Sequence, residues 1–133
     1  MAIIIDTGVF IEGEKNTFAL ERWIESRPND NFEIAAITIA ELWHGVERAA
    51  DPYRQARKRY VEAVVRTFPS IPYTEATALE HARLWAELAA AGKMIGAYDL
   101  IVAATALELG SPVATFNVRH FSRVRGLTVI EPR

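Results

Sequence analysis

The chain opens on a short unbroken apolar run, Ala2 to Ile5, stopped by the acid Asp6 and then by Gly8. So short and β-branched a run has no polar face to keep in water, and it predicts a strand buried on both sides. After Gly13 to Asn16, the residues Phe18, Leu20, Trp23 and Ile24 recur at roughly helical spacing until Arg27-Pro28-Asn29-Asp30 breaks the pattern. Glu33 to Ile37 predicts a second strand. Thr38 opens a helix through about Ala49, and past Asp51-Pro52 a basic helix runs from Tyr53 to about Phe68. Pro69 to Pro72 is a brief extended segment. From Thr74 an Ala-rich helix carries Ala78, Ala82, Trp85 and Ala89 on one face and stops near Gly92. A further helix runs from about Tyr98 to Leu109 and is capped by Gly110. Ser111 to Phe116 and Leu127 to Ile130 complete the strands. Short apolar strands alternating with helices predict an α/β fold, a central parallel sheet with helices on both faces.

At 133 residues and 50% hydrophobic composition, the pattern suits a single domain over residues 1–133 that buries a core without staples. The absence of cysteine excludes disulfides, thiolate metal sites and a thiol nucleophile, and fits a reducing cytoplasm. No stretch approaches the ~20 apolar residues of a membrane span, and the N-terminus lacks the basic flank of a leader, so a soluble, cytoplasmic protein is expected. The net charge of −2 is unevenly spread: residues 1–47 sum to −6 and 48–66 to +4, while 67–118 sum to −3 and 119–133 to +3. An acidic site flanked by basic segments produces this pattern, and so do ordinary solvated helix faces.

In open parallel sheets, ligands collect beyond the carboxyl ends of the strands, where loops and helix starts converge. Asp6 follows the first strand, Glu41 lies in the first turn of the helix after the second, and Asp99 opens the helix leading to the next clear strand. Asn117 follows that strand. Each has an ordinary local explanation. Asp6 can cap a helix starting at Thr7 or Gly8. Glu41 completes Thr38-Ile39-Ala40-Glu41, the Thr-x-x-Glu pattern of a capping box. Asp99 can favour the positive end of its own helix dipole. Those explanations leave the apolar setting unaccounted for, because Ile5, Leu42, Trp43, Leu100 and Ile101 flank acids that are costly to bury unless paired or metal-bound. Several carboxylate oxygens suit a hard divalent cation such as Mg²⁺, which lowers the pKa of water and neutralises phosphodiester charge.

At these residues the chain resembles the PIN-domain family, specifically the VapC-type toxins of type II toxin–antitoxin systems. Ile3-Ile4-Ile5-Asp6-Thr7-Gly8-Val9-Phe10-Ile11 resembles the family's opening strand, acid and helix. Thr38-Ile39-Ala40-Glu41-Leu42-Trp43-His44-Gly45 resembles its second acidic block. Ile95 to Ala106, around Asp99, and Ala114-Thr115-Phe116-Asn117-Val118-Arg119-His120-Phe121 resemble its third and last blocks. The resemblance implies a PIN-like fold and a Mg²⁺- or Mn²⁺-dependent endoribonuclease, with Asp6, Glu41 and Asp99 as metal ligands. The fourth acidic position falls on Asn117, which the resemblance makes a weaker or water-mediated ligand. Thr7 and Thr115 are supporting candidates. The resemblance also implies an RNA substrate, a homodimer and a cognate VapB-like antitoxin whose C-terminal segment enters the acidic groove. The competing function is a catalytically weak PIN-like module that binds RNA or protein.

RNA requires cations along its backbone, and Arg48, Arg54, Arg57, Lys58, Arg59 and Arg66 are the densest supply. Tyr53, Arg57 and Tyr60 share a helical face that offers stacking beside phosphate contact, although Glu62 at helical spacing from Arg59 and Arg66 makes a salt-bridged surface the favoured expectation. Arg119, Arg123 and Arg125 stand nearer the expected metal edge, with Arg119 first among them. His44, His81 and His120 have no zinc-binding spacing, and His120 is close enough to Asn117 to contact substrate. Trp23, Trp43 and Trp85 are expected as core or dimer contacts. No Gly-x-Gly-x-x-Gly or Walker pattern supports a dinucleotide or nucleotide fold, and Gly8 stands where an aspartyl phosphatase usually has its second acid.

Overall fold

The computed structural model describes residues 1–133. Along it run β1 (Ala2–Ile5), α1 (Thr7–Glu14), α2 (Leu20–Glu25), β2 (Asn31–Ala35), α3 (Ala36–Arg48) and α4 (Tyr53–Thr67). The second half comprises β3 (Ser70–Ile71), α5 (Glu75–Ala90), α6 (Ala97–Leu109), β4 (Val113–Ala114), α7 (Val118–Phe121) and β5 (Val129–Ile130). The strands form one sheet in the order β3-β2-β1-β4-β5, and every neighbouring pair is parallel. No helix is long and apolar enough to cross a membrane.

The fully buried β1 shows why both faces must be covered. Alternate residues of a strand point to opposite faces. Ile3 and Ile5 accordingly join Phe10, Trp23, Leu42, Val46 and Val64 in a core under α1 to α4. Ile4 points the other way, into a core with Leu84, Leu88, Leu100, Ala103 and Phe121 from α5 to α7. Helix α6 is buried along most of its length and is built largely from small residues there, Ala103, Ala104, Thr105 and Ala106. It ends at Gly110, whose φ of 66° lies in the left-handed region that glycine enters without a steric penalty.

Several boundaries differ from those expected of the local pattern. β2 begins two residues earlier, because Asn31, Phe32 and Glu33 pair with Ala2, Ile3 and Ile4 of β1. The chain then turns into α3 at Ala36, not at Thr38. The last two strands shrink to the pairs that β1 and β4 can match, and α7 appears where no helix was expected. Trp23 is buried as expected, whereas Trp85 is 55% exposed and stacks on His81.

The order of the strands positions the site. From β1 the chain moves outward to β2 and β3 on one side, then returns to add β4 and β5 on the other. The direction of strand order reverses between β1 and β4, and loops leaving their carboxyl ends part there to open a crevice. Asp6 follows β1 and Thr115 follows β4, with Ile5 and Ala114 in register just before them.

Candidate active site

Asp6 is both the N-cap of α1 and the deepest acid of the crevice, only 6% exposed. Its Oδ1 accepts from the Thr7 backbone N–H at 2.9 Å, and its Oδ2 accepts from Thr115 Oγ1 at 2.8 Å. Capping therefore occupies one carboxylate oxygen and accounts for half of the residue's role. Thr115 is itself fully buried, and its oxygen also accepts from the Asn117 N–H at 2.9 Å. One hydroxyl thus ties the acid after β1 to the loop after β4.

The expected capping box at Thr38 and Glu41 does not form. Ala35 is the N-cap of α3, without a side-chain cap, and Thr38 lies inside the first turn. Glu41 instead faces Thr7, whose Oγ1 lies 2.6 Å from Glu41 Oε1 and 3.0 Å from Thr38 Oγ1. A hydroxyl has one proton to give. Thr7 shares it between the two acceptors, and the carboxylate, closer and charged, is the stronger of them. The chain's capping box is at Thr74 and Thr77, on α5.

Asp99 stands in the first turn of α6. Its Oδ2 accepts from Asn117 Nδ2 at 3.1 Å, and the same amide nitrogen is 2.8 Å from His120 Nδ1. An NH₂ group supplies two donors, so this geometry matches a carboxylate on one side and an unprotonated Nδ1 on the other. In the unprotonated imidazole form this geometry leaves the ring proton on Nε2. Asn117 is therefore joined to Asp99 as a donor, the reverse of what an acid there would do.

The three acids feel one another. Burial pushes Asp6 up to about 6 from an ordinary 3.8; the Thr115 hydroxyl pulls it down, and the negative charges of Asp99 and Glu41 raise it again. Glu41 is raised above its ordinary range by burial first, with Thr7 lowering it and Asp99 raising it. Asp99 is raised by burial, while Asn117 and then His120 lower it. As the side chains stand, no three of them close on one point as a preformed cage. Each carboxylate is engaged by a hydroxyl or amide donor. The donor set nevertheless suits a hard divalent cation: three carboxylates, no sulfur, and mutual repulsion that a positive ion relieves.

A protein-family model described as the PIN domain matches residues 3–127. The chain belongs to the PIN-domain family. Within that family it is similar to the ribonuclease VapC1 of Rickettsia felis, 30% identical over 131 residues that cover 98% of this chain and 96% of the relative. It is also 30% identical to a tRNA(fMet)-specific endonuclease VapC of Shigella flexneri, over 96% of this chain and 95% of that one. Among solved structures, the VapBC-1 structure from nontypeable Haemophilus influenzae superposes with a TM-score of 0.86 at 27% identity, covering 98% of each chain. The recognition of a VapC-type PIN fold from the four sequence blocks thus agrees with the fold and with these relatives.

In this PIN domain the crevice gathers Asp6, Thr7, Glu41, Asp99, Thr115, Asn117 and His120, all expected from the sequence. Arg119 is not brought in: it is exposed on α7 and forms no ion pair with the acids. Nor does Glu62 pair with Arg59 or Arg66; the ion pairs of this region are Arg54 with Glu47 and Arg57 with Glu14. Tyr60 is half-buried and donates to the Phe10 carbonyl at 2.6 Å, which ties its ring to α1. Four neighbours were not expected at the acids. Thr38 holds Thr7, and His44 and Tyr98 line the groove beside Glu41 with Arg48. The signal for Arg48 was its place two helical turns beyond Glu41, hence on the same face of α3.

Proposed function

We propose that this chain is the toxin endoribonuclease of a type II toxin–antitoxin pair and cleaves RNA phosphodiester bonds in the crevice of Asp6, Glu41 and Asp99. The observation that carries this reading is the meeting of three acids from three distant segments at the β1/β4 switch point, each raising or raised by another, in a PIN-domain chain. Asp6, Glu41 and Asp99 would hold the cation, Mg²⁺ or Mn²⁺. Bound there, such an ion supplies an activated water and neutralises charge on the phosphate in the transition state.

The surrounding residues prepare the acids for that task. Thr115 and the Thr7 amide stabilise Asp6 in its charged form, and the Thr7 hydroxyl does the same for Glu41. Asn117 orients Asp99 and fixes the His120 tautomer, so that Nε2–H is a donor for a phosphate oxygen or the departing strand. In this reading Asn117 is a positioning residue. The antitoxin is a VapB-like protein that offers a basic side chain to the same carboxylates, and the working assembly contains a homodimer. The VapBC structures of relatives support that partner class.

The deciding experiment incubates the purified protein with single-stranded and hairpin RNA in Mg²⁺ or Mn²⁺ and in EDTA. We expect endonucleolytic products with either metal, none in EDTA and none from Asp99→Asn or Asp6→Ala. Cleavage that survives substitution of all three acids overturns the mechanism. Retained RNA or antitoxin binding by a wild-type protein that never cuts identifies the binding-module alternative.

A further inference from the structure

The groove beside Glu41 continues past the carboxylates. Two adjoining hollows share Ile11, Glu41 and Arg48 in their walls. The first includes Thr7 and Tyr98; the second adds Lys15, Glu14 and Arg57. Together they make a path between α1 and α3 that leaves the acids and ends against α4. Glu41 and Arg48 are two turns apart on α3, about 10 Å along its axis.

The charges on this path change sign. Two acids line the far hollow, Glu41 at the end it shares with the first and Glu14, which is engaged by Arg57 Nε at 3.4 Å, against the three cations Lys15, Arg48 and Arg57. Lys15 and Arg48 are exposed and have no carboxylate partner. Arg57 is incompletely satisfied: Nη1 reaches the Gly45 carbonyl only at 3.5 Å, and Nε is buried without a well-formed hydrogen bond. The Arg57 side chain is 37% exposed and lines this hollow, so its outer N–H groups are open to a further acceptor.

We infer that the far hollow is a phosphate-binding subsite, in which Arg48 and Lys15 grip a neighbouring phosphate of the RNA strand cut at the carboxylates. The inference rests on the ribonuclease reading and extends it to the course of the substrate. Acids that hold a cation repel the rest of a polyanion, so the strand needs fixed positive charge set away from them. A nucleic acid carries charge at every nucleotide, and a strand lying between α1 and α3 brings further phosphates to Arg48. Tyr98, 55% exposed at the mouth, presents a ring on which a base stacks.

The test measures binding of a short fluorescent single-stranded RNA of mixed sequence to the full chain in EDTA, across a range of salt. Arg48→Gln weakens binding at least fivefold and lowers the slope of log K against log salt by ~0.7, one phosphate contact on a single strand. Lys15→Gln adds to the loss, Arg48→Lys restores part of it, and Arg83→Gln, on α5 across the sheet from the hollow, changes neither quantity. With metal, Arg48→Gln raises KM and leaves kcat near wild type. An unchanged melting temperature shows that the variant is folded. Unchanged affinity and slope in Arg48→Gln, an equal loss in Arg83→Gln, or absence of RNA binding by wild type overturns the inference. So does a variant that binds RNA normally and loses affinity for a polyglutamate peptide, which makes the hollow a protein-docking site. Because binding is read without metal, a protein that grips RNA through Arg48 yet never cuts it overturns the ribonuclease reading alone.

Discussion

Thr115 Oγ1 donates to Asp6 Oδ2 at 2.8 Å across 109 positions of sequence, and this bond joins the two strands at which the order of the sheet reverses. The donor favours the charged acid against the burial that pushes it up to about 6. Thr115→Val keeps the shape and removes the donor. A hydrogen bond to a charged group contributes about 1.5–3 kcal/mol, so Asp6 should rise by roughly one pH unit or more. The acid limb of the pH profile of kcat/KM for RNA cleavage moves to higher pH by that amount.

Asp6 also makes the metal-free protein sensitive to pH. Its folded value, about 6, exceeds the ordinary 3.8, so the folded state binds the proton more tightly than the unfolded one. The stabilisation from this group is complete below 3.8 and is lost as pH rises through about 6. At 1.36 kcal/mol per unit this is at most about 3 kcal/mol. In EDTA the melting temperature should therefore gain from this group as pH falls from 7 toward 4. Asp6→Asn, which retains an N-cap acceptor, should be more stable than wild type at pH 7.5 and show a flatter profile. Adding Mn²⁺ at pH 7.5 should stabilise wild type and leave Asp6→Asn nearly unmoved.

Asn117 separates orientation from charge. Asn117→Ala removes the donor from Asp99, which should lower kcat about tenfold with little change in KM, consistent with a charge-assisted hydrogen bond of about 1.4 kcal/mol or more. Asn117→Asp replaces that donor with a further carboxylate. Without metal the added charge raises Asp99 still higher; with metal it adds a ligand. The Mg²⁺ concentration for half-maximal cleavage should fall in Asn117→Asp and rise in Asn117→Ala, read from a metal titration.

Thr7 holds two partners with one hydroxyl, Glu41 and the buried Thr38. Thr7→Val leaves the Thr38 hydroxyl without its partner, at a cost of about 1–3 kcal/mol. It also frees Glu41 to move. The urea midpoint should fall and cleavage should drop together, with both restored in Thr7→Ser. A loss of stability without loss of cleavage would show that Glu41 does not need Thr7.

The sequence by itself determined the alternation of strands and helices, the burial of Ile3, Ile4 and Ile5, and the placing of Asp6 and Asp99 at element ends, whereas Glu41 lies beyond the first turn of α3. These are consequences of spacing along the chain, because apolar periods of two and 3.6 residues select strand or helix locally. The matching order of the four blocks also carried the family. What only the tertiary structure decided depends on partners far away in sequence. The β1–β2 pairing moved the start of α3 to Ala36, which took Thr38 out of the cap and released Glu41 to Thr7. The β1–β4 register set Thr115 on Asp6, and the turn into α7 set Asn117 between Asp99 and His120. Arg119 was favoured for its nearness in sequence to Asn117, while Arg48 reaches the groove through the geometry of α3. Helix periodicity says which residues share a face; only the packing of α1, α3 and α4 says what that face looks upon.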